Sequence, residues 1–312
     1  MNETPARGID VPPKIEVRKG RKKQHGEIVP RRRPVYPISA ERETIRAAMA
    51  YTDMALNTVQ PEINRIMRAY EERESYHQDD TGDFITTSRG LRFAAAERLS
   101  KKTGALKKLE KETEKSGIMA KRHSIRDWNE LVKDAFGVGV NEEYYDNKLD
   151  RLVDQWIHEN VSLITSIPTE YLNNVEAIIR WGYETRQPKV NVYRRLEKLV
   201  GLTRSKARLI ARDQLGSLNS KMTQFEHESA GVGKYKWITK RDSRVRDCHR
   251  ELHGTIHKWS EPPAQWYMTK SRGIVYTGYG HPGEPIGCRC TASPVFDIDI
   301  AKQMLADKFK PL

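Results

Sequence analysis

Through most of the first 230 residues, apolar side chains recur every three or four positions, the period of a helix with one buried stripe. In residues 39–74 the stripe is Ile45, Met49, Ala55, Val59, Ile63, Ile66, Met67 and Tyr70, and Pro61 is expected to kink or divide that helix. Residues 77–83 read as a polar loop. Helical spacing resumes at Thr86 through Leu91, Ala95, Leu99, Leu106 and Leu109, and Gly104 and Gly117 weaken residues 101–126 as one helix. Trp128, Leu131, Val132 and Ala135 mark a helix over 124–136. Leu149, Leu152, Val153, Trp156, Ile157 and Val161 mark another over 141–167, with Pro168 as its expected end. Helices over 169–185 and 191–200 follow. Gly201 is expected to break the run, and Thr203 to cap a helix reaching about residue 230. The inner face of that helix is Ala207, Ile210, Ala211, Leu215, Leu218, Met222 and Phe225.

After Gly231 the period changes. Residues 235–239 alternate and carry β-formers, so a short strand is predicted. Asp242 reads as the N-cap of a helix of about ten residues, with Val245, His249 and Leu252 inward and Gly254 ending it in the left-handed region. Residues 255–259 and 289–296 read as two more strands. Residues 276–287 read as a turn-rich loop; they lack the Lys-Ser/Thr and following helix of a phosphate loop. The expected fold is mainly α over 38–200. A small α+β domain over 201–296 follows, its short β-sheet packed on a long helix. Residues 1–37 form a disordered basic arm, and 297–312 a short amphipathic tail carrying Ile300, Met304, Leu305 and Phe309.

Charge adds a partner class. The 312 residues carry a net charge of +13 with a pI near 9.5, which draws a chain toward polyanions, nucleic acid first. Residues 1–37 hold ten Lys/Arg against four acids, and six prolines block helix there. Arg18, Lys19, Arg21, Lys22, Lys23, Arg31, Arg32 and Arg33 are the DNA-contact candidates; the plain alternative is an unengaged terminus. Residues 101–126 are also rich in Lys and Arg and read as a solvated helix face. The N-terminus lacks the apolar core of a signal peptide, and no run approaches the ~20 apolar residues of a membrane span. The expectation is a chain made and kept on the cytosolic side without a membrane anchor.

Chemistry concentrates in residues 235–296. All three cysteines lie there (Cys248, Cys288, Cys290), with His249, His253, His257 and His281. Three cysteines in a chain this long suit reduced thiols rather than a disulfide framework. In order along the chain stand Tyr235-Lys-Trp237-Ile-Thr, Asp242-Ser-Arg-Val-Arg246, His249, Leu252-His-Gly254, His281-Pro282 and Cys288-Arg289-Cys290. The helix from Ala207 through Asn219 precedes them. This series resembles the signature domain of the phage head-morphogenesis proteins typified by protein F of bacteriophage Mu, over roughly residues 200–296. The resemblance implies a minor head protein, a portal protein as partner beside capsid or scaffolding proteins, and a place inside the virion capsid near packaged double-stranded DNA. It also implies manufacture in the host cytoplasm, a part in delivering the genome, and no enzymatic activity. The family motif maps onto Trp237, Asp242, Arg246, His249, Gly254, His281, Pro282, Cys288, Arg289 and Cys290.

Relatives of this kind place two cysteines where this chain has Arg246 and His249, a set suited to structural zinc. Here the zinc set would be His249, His281, Cys288 and Cys290, with Cys248 as a further candidate. Against it, Cys288 and Cys290 would point to opposite faces of an extended segment. The other reading has no cofactor: buried thiols, hydrogen-bonded histidines, and Arg246 paired with Asp242 or Asp247 in place of a metal. His249-Arg-Glu-Leu-His253 is not a zincin motif, because Glu251 does not directly follow the first His. Two other functions stay open. One is a metal-dependent nuclease or other DNA-acting enzyme built on Asp242, His249, His253 and His281. The other is a structural adaptor with no DNA role.

Overall fold

Five long helices carry the periodic stripes. In the computed structural model, which describes residues 26–76, 81–137, 139–140, 142–269, 271 and 273–297, a short strand β1 (Glu27–Ile28) leads into α1 (Ile38–Tyr76) and α2 (Thr81–Ser100). Then come α3 (Thr103–Phe136), α4 (Glu142–Glu184) and α5 (Lys189–Ser229). The mainly helical first part and the small α+β region after it are as expected. The breaks expected at Pro168 and Gly201 do not occur, and α1 is not divided at Pro61. Pro61 lies inside α1, Pro168 inside α4, Gly104 and Gly117 inside α3, and Gly201 inside α5. An interior proline costs a helix about 3 kcal/mol, but burying one large aliphatic or aromatic side chain returns about 1.5–3. Pro168 has Ile164, Ile167, Tyr171 and Leu172 buried on either side, so the stripe continues across it. Thr203 caps nothing; its hydroxyl donates to the Leu199 carbonyl within α5 (2.8 Å). Residues 81–83, expected in a loop, form the first turn of α2.

Gly117 serves packing. A Cβ at this position would lie 2.8 Å from Val153 Cγ1, so only glycine lets α3 rest this closely on α4. Ion pairs tie neighbouring helices: Arg98 to Glu62 (2.7 Å), Lys121 to Asp150 (2.6 Å) and Arg204 to Asp53 (2.7 Å). No helix among the described residues is long and apolar enough to cross a membrane.

The C-terminal part comprises β2 (Lys234–Ile238), α6 (Asp247–Leu252), β3 (Ile256–Lys258), β4 (Ala264–Thr269), β5 (Gly273–Tyr279) and β6 (Thr291–Asp297). An antiparallel sheet runs β1-β6-β2-β3, and β4 and β5 form a separate hairpin. That hairpin takes up residues 276–279 of the expected loop. Central β6 is buried along all but its last residue. Phe296 reaches into the helical layer against Phe136 (ring centroids 4.7 Å) and Trp128 (5.9 Å). One core therefore joins α3, α4 and α5 to the sheet, and the boundary expected at 200/201 falls inside α5.

The expected disordered arm is corrected in part. Glu27 and Ile28 pair with Asp297 and Phe296. The backbone N–H groups of Arg31 and Arg32 donate to Asp134 (2.5 and 2.9 Å), the Val35 N–H donates to Asp127 (2.9 Å), and Tyr36 is buried. The Arg32 side chain adds an ion pair with Asp127 (3.6 Å), while those of Arg31 and Arg33 are exposed. Arg18, Lys19, Arg21, Lys22 and Lys23 lie outside the described residues, as does the tail beyond Asp297.

Candidate functional site

The site is assembled from three places in the chain. Helix α6 supplies His249, the segment before β6 supplies Cys288 and Cys290, and α5 holds that segment down. Gly216 of α5 is the seat: a Cβ there would lie 3.1 Å from the Cys288 carbonyl oxygen and 3.2 Å from that of Gly283. Asp213, one turn earlier, accepts the Gly287 N–H (2.8 Å). Gly283 (φ 97°) and Gly287 (φ 67°) make the left-handed turns that bring the loop over the helix.

Cys288 precedes β6, so the expected opposition of the two thiols does not arise. The sulfurs of Cys288 and Cys290 stand 3.6 and 3.5 Å from the same atom, His249 Nδ1. All three side chains are buried, and their ligand atoms lie within 4.8 Å of one another. The other ring nitrogen, Nε2, is 2.9 Å from Gln265 Oε1. The Gln265 amide nitrogen donates to the carbonyls of Pro263 (3.2 Å) and Gly280 (3.0 Å), which fixes the amide orientation. Oε1 therefore accepts from His249 Nε2–H, and Nδ1 faces the sulfurs. Trp237 packs its ring on His249 (centroids 5.3 Å).

The electrostatics favour one thiolate. A hydrogen bond from Cys290 holds the Cys288 thiol well below its usual range, with His249 adding to the effect against burial. The N–H groups of Gly283 and Cys290 also point at Cys288 Sγ (3.4 Å each). The same interaction with Cys288, together with burial, pushes Cys290 up. Burial works to lower the His249 pKa, but the thiols of Cys248 and Cys288 outweigh it and raise the group to about 9.

His281 does not join this group. It bonds Tyr235 Oη through Nδ1 (2.9 Å) and packs against both Tyr235 and Trp259, while its backbone N–H donates to Glu284 (2.6 Å). Pro282 beside it is buried. His253 accepts the Thr239 N–H (3.0 Å) and meets Arg241 (2.8 Å). The proposed Asp242 N-cap is also corrected: α6 begins five residues later, and Asp242 Oδ1 accepts the Arg244 N–H in a turn (3.1 Å). Its other oxygen accepts from Arg289 (2.6 Å). Arg246 pairs with neither Asp242 nor Asp247; it donates to the Ile286 carbonyl. Gly254 does take the left-handed conformation (φ 85°), and its N–H donates to the Trp237 carbonyl (2.8 Å), binding the end of α6 to β2.

Asp242, His253 and His281 thus stand apart from His249 in separate hydrogen-bond sets. The sequence reading missed Gln265, Asp213 and Gly216. An isolated glycine in a strongly periodic helix was the legible sign of the last.

These elements coincide with a known family. Residues 181–293 match the model of the family described as Phage Mu protein F like protein, which takes in all of α5, the sheet strands β2 and β3, and the whole cluster. Over this segment the chain is similar to phage Mu protein F like proteins. A curated protein of Haemophilus influenzae, described as uncharacterized, is 33% identical over 138 residues, which are 44% of this chain and 28% of that protein. The chain therefore spans little more than a quarter of the length of that relative. No solved structure matches the chain. The Mu F-like match begins at residue 181, in the last turn of α4 and earlier than the expected start near 200.

Proposed function

We propose that the protein is a minor head protein of a bacteriophage. It acts in head morphogenesis at the portal vertex, inside the capsid and beside the packaged DNA, and does so without catalysis. The observation that carries this reading is the Mu F-like match over residues 181–293. Two further observations support it. The chain carries a net charge of +13, suited to neighbouring DNA phosphates. The enzyme constellation weighed from the sequence does not converge, since His253 and His281 are each engaged elsewhere.

In this reading the protein is recruited to the portal by protein contacts from the helical layer. The arm before residue 26 adds contacts to DNA phosphates that have no sequence preference. Such contacts release counterions, so binding to duplex DNA falls steeply as salt rises. The test is co-purification of the full chain with the portal protein of its own phage and with procapsids. A few copies per head are expected. Absence from procapsids, with metal-dependent cutting of DNA by the purified chain, would replace this reading with the nuclease.

A further inference from the structure

We infer that His249 Nδ1, Cys288 Sγ and Cys290 Sγ bind one Zn²⁺ ion through three protein ligands, with solvent at the fourth corner. This goes beyond the head-protein reading and does not depend on it.

Two sulfurs stand 3.6 and 3.5 Å from one atom, His249 Nδ1. A single ion in the centre serves all three. Tetrahedral zinc, with Zn–N of about 2.0–2.1 Å and Zn–S of about 2.3 Å, sets N and S about 3.5–3.6 Å apart. The two N–S distances in the structure match this spacing.

The surroundings fit as well. A metal-bound histidine usually gives its other N–H to a fixed acceptor, which holds the ring and its tautomer. Gln265 is that acceptor, held in turn by the Pro263 and Gly280 carbonyls. Backbone N–H groups from Gly283 and Cys290 are aimed at Cys288 Sγ, as they are around bound thiolates. Two thiolates and an imidazole are a soft donor set suited to zinc rather than to magnesium or calcium.

The fourth corner comes from neither candidate in the sequence. His281 is bonded to Tyr235. Cys248 is outside the group of converging ligand atoms and lines a different cavity, formed with Trp266, Tyr267 and Glu284. The three ligand residues instead border a cavity of about 110 Å³ with Arg212, Lys240, Asp242, Arg244, Arg246 and Arg289. It has room for a bound water.

The experiment uses the full chain purified without chelator. Elemental analysis is expected to find one zinc per chain. Replacement by Co²⁺ should give the visible bands of tetrahedral cobalt with a sulfur-to-metal charge-transfer band. A thiol reagent should find Cys288 and Cys290 protected until the metal is stripped. Cys288→Ser and Cys290→Ser should each lose the ion, Gln265→Leu should weaken binding about 10–100-fold, and Cys248→Ser should keep it. Folded wild-type protein that takes up neither zinc nor cobalt overturns the inference, whatever the variants do. Loss of the ion in a folded Cys248→Ser variant overturns the three-ligand assignment.

Discussion

The helical layer and the Mu F-like sheet region are held together in different ways. From α1 to α4 the shape follows from repetition: apolar stripes several turns long meet across wide faces, and charged side chains pair at the margins. Few single residues are decisive there, Gly117 at the contact of α3 with α4 being one. From β2 to β6 the elements are three to seven residues long, and buried polar groups with distant partners place them. Gln265 orients His249, Tyr235 holds His281, and Gly216 seats the cysteine loop. The first kind of structure tolerates substitution because its stabilisation is spread out. The second is sensitive at a few positions.

The joint between the two regions is the place to break this contrast. Trp128 and Phe296 meet in the core shared by helices and sheet. Truncating either to alanine is expected to cost about 3–5 kcal/mol. In urea titrations, helical circular dichroism and tryptophan fluorescence should shift together. Two separated transitions would show that the regions unfold independently.

Two glycines of α5 give the next largest effect, and a sharper one. Gly216→Ala drives a methyl group against two carbonyl oxygens and is expected to cost about 1–3 kcal/mol. Gly201→Ala, in the same helix, meets nothing within 4 Å. It should stabilise by about 0.5–1 kcal/mol through helix propensity alone. The same substitution with opposite signs in one helix would locate where packing, rather than propensity, decides.

A pH series probes the joint chemically. Burial lowers the fully buried His227 to a pKa of about 3 and raises Glu226 beside it to about 8. For His227 the unfolded chain gains a proton first, so stability falls as pH drops from about 6.5 toward 3. For Glu226 the unfolded chain loses its proton first, so stability falls as pH rises from about 4.5 toward 8. Between 4.5 and 6.5 the two slopes oppose each other, and midpoints of urea unfolding should form a plateau with a decline on each side. Glu226→Gln should remove the alkaline decline and leave the acid one. At the small end, Arg204→Ala breaks a half-exposed pair with Asp53 and should cost at most about 1 kcal/mol.

The sequence disclosed these two regions unequally, for the same physical reason. Helix positions and inner faces were legible because periodicity is local. The ends near 136, 185 and 230 were legible as well, but the continuity of helices across internal breakers was not. Pro168 and Gly201 signal a stop by propensity, and tertiary burial on both sides overrode them. In the C-terminal region the strands at 235–239 and 255–259 were legible from alternation. The ligand geometry was not, because whether Cys288 and Cys290 face one way depends on where β6 begins and on the left-handed turn at Gly287. Nor did spacing reveal that His281 belongs to an aromatic enclosure with Tyr235 and Trp259 rather than to the thiols.

The pairing of β1 with β6 has one more consequence. Glu27 lies directly across from Asp297, so the two ends of the described residues stand side by side, one strand spacing of about 4.8 Å apart. Residues 26–297 are topologically almost a closed ring. A short peptide could join its two ends and the chain could be opened elsewhere without disturbing the sheet. Anything attached ahead of residue 26 or behind residue 297 is tethered at one common point on the surface.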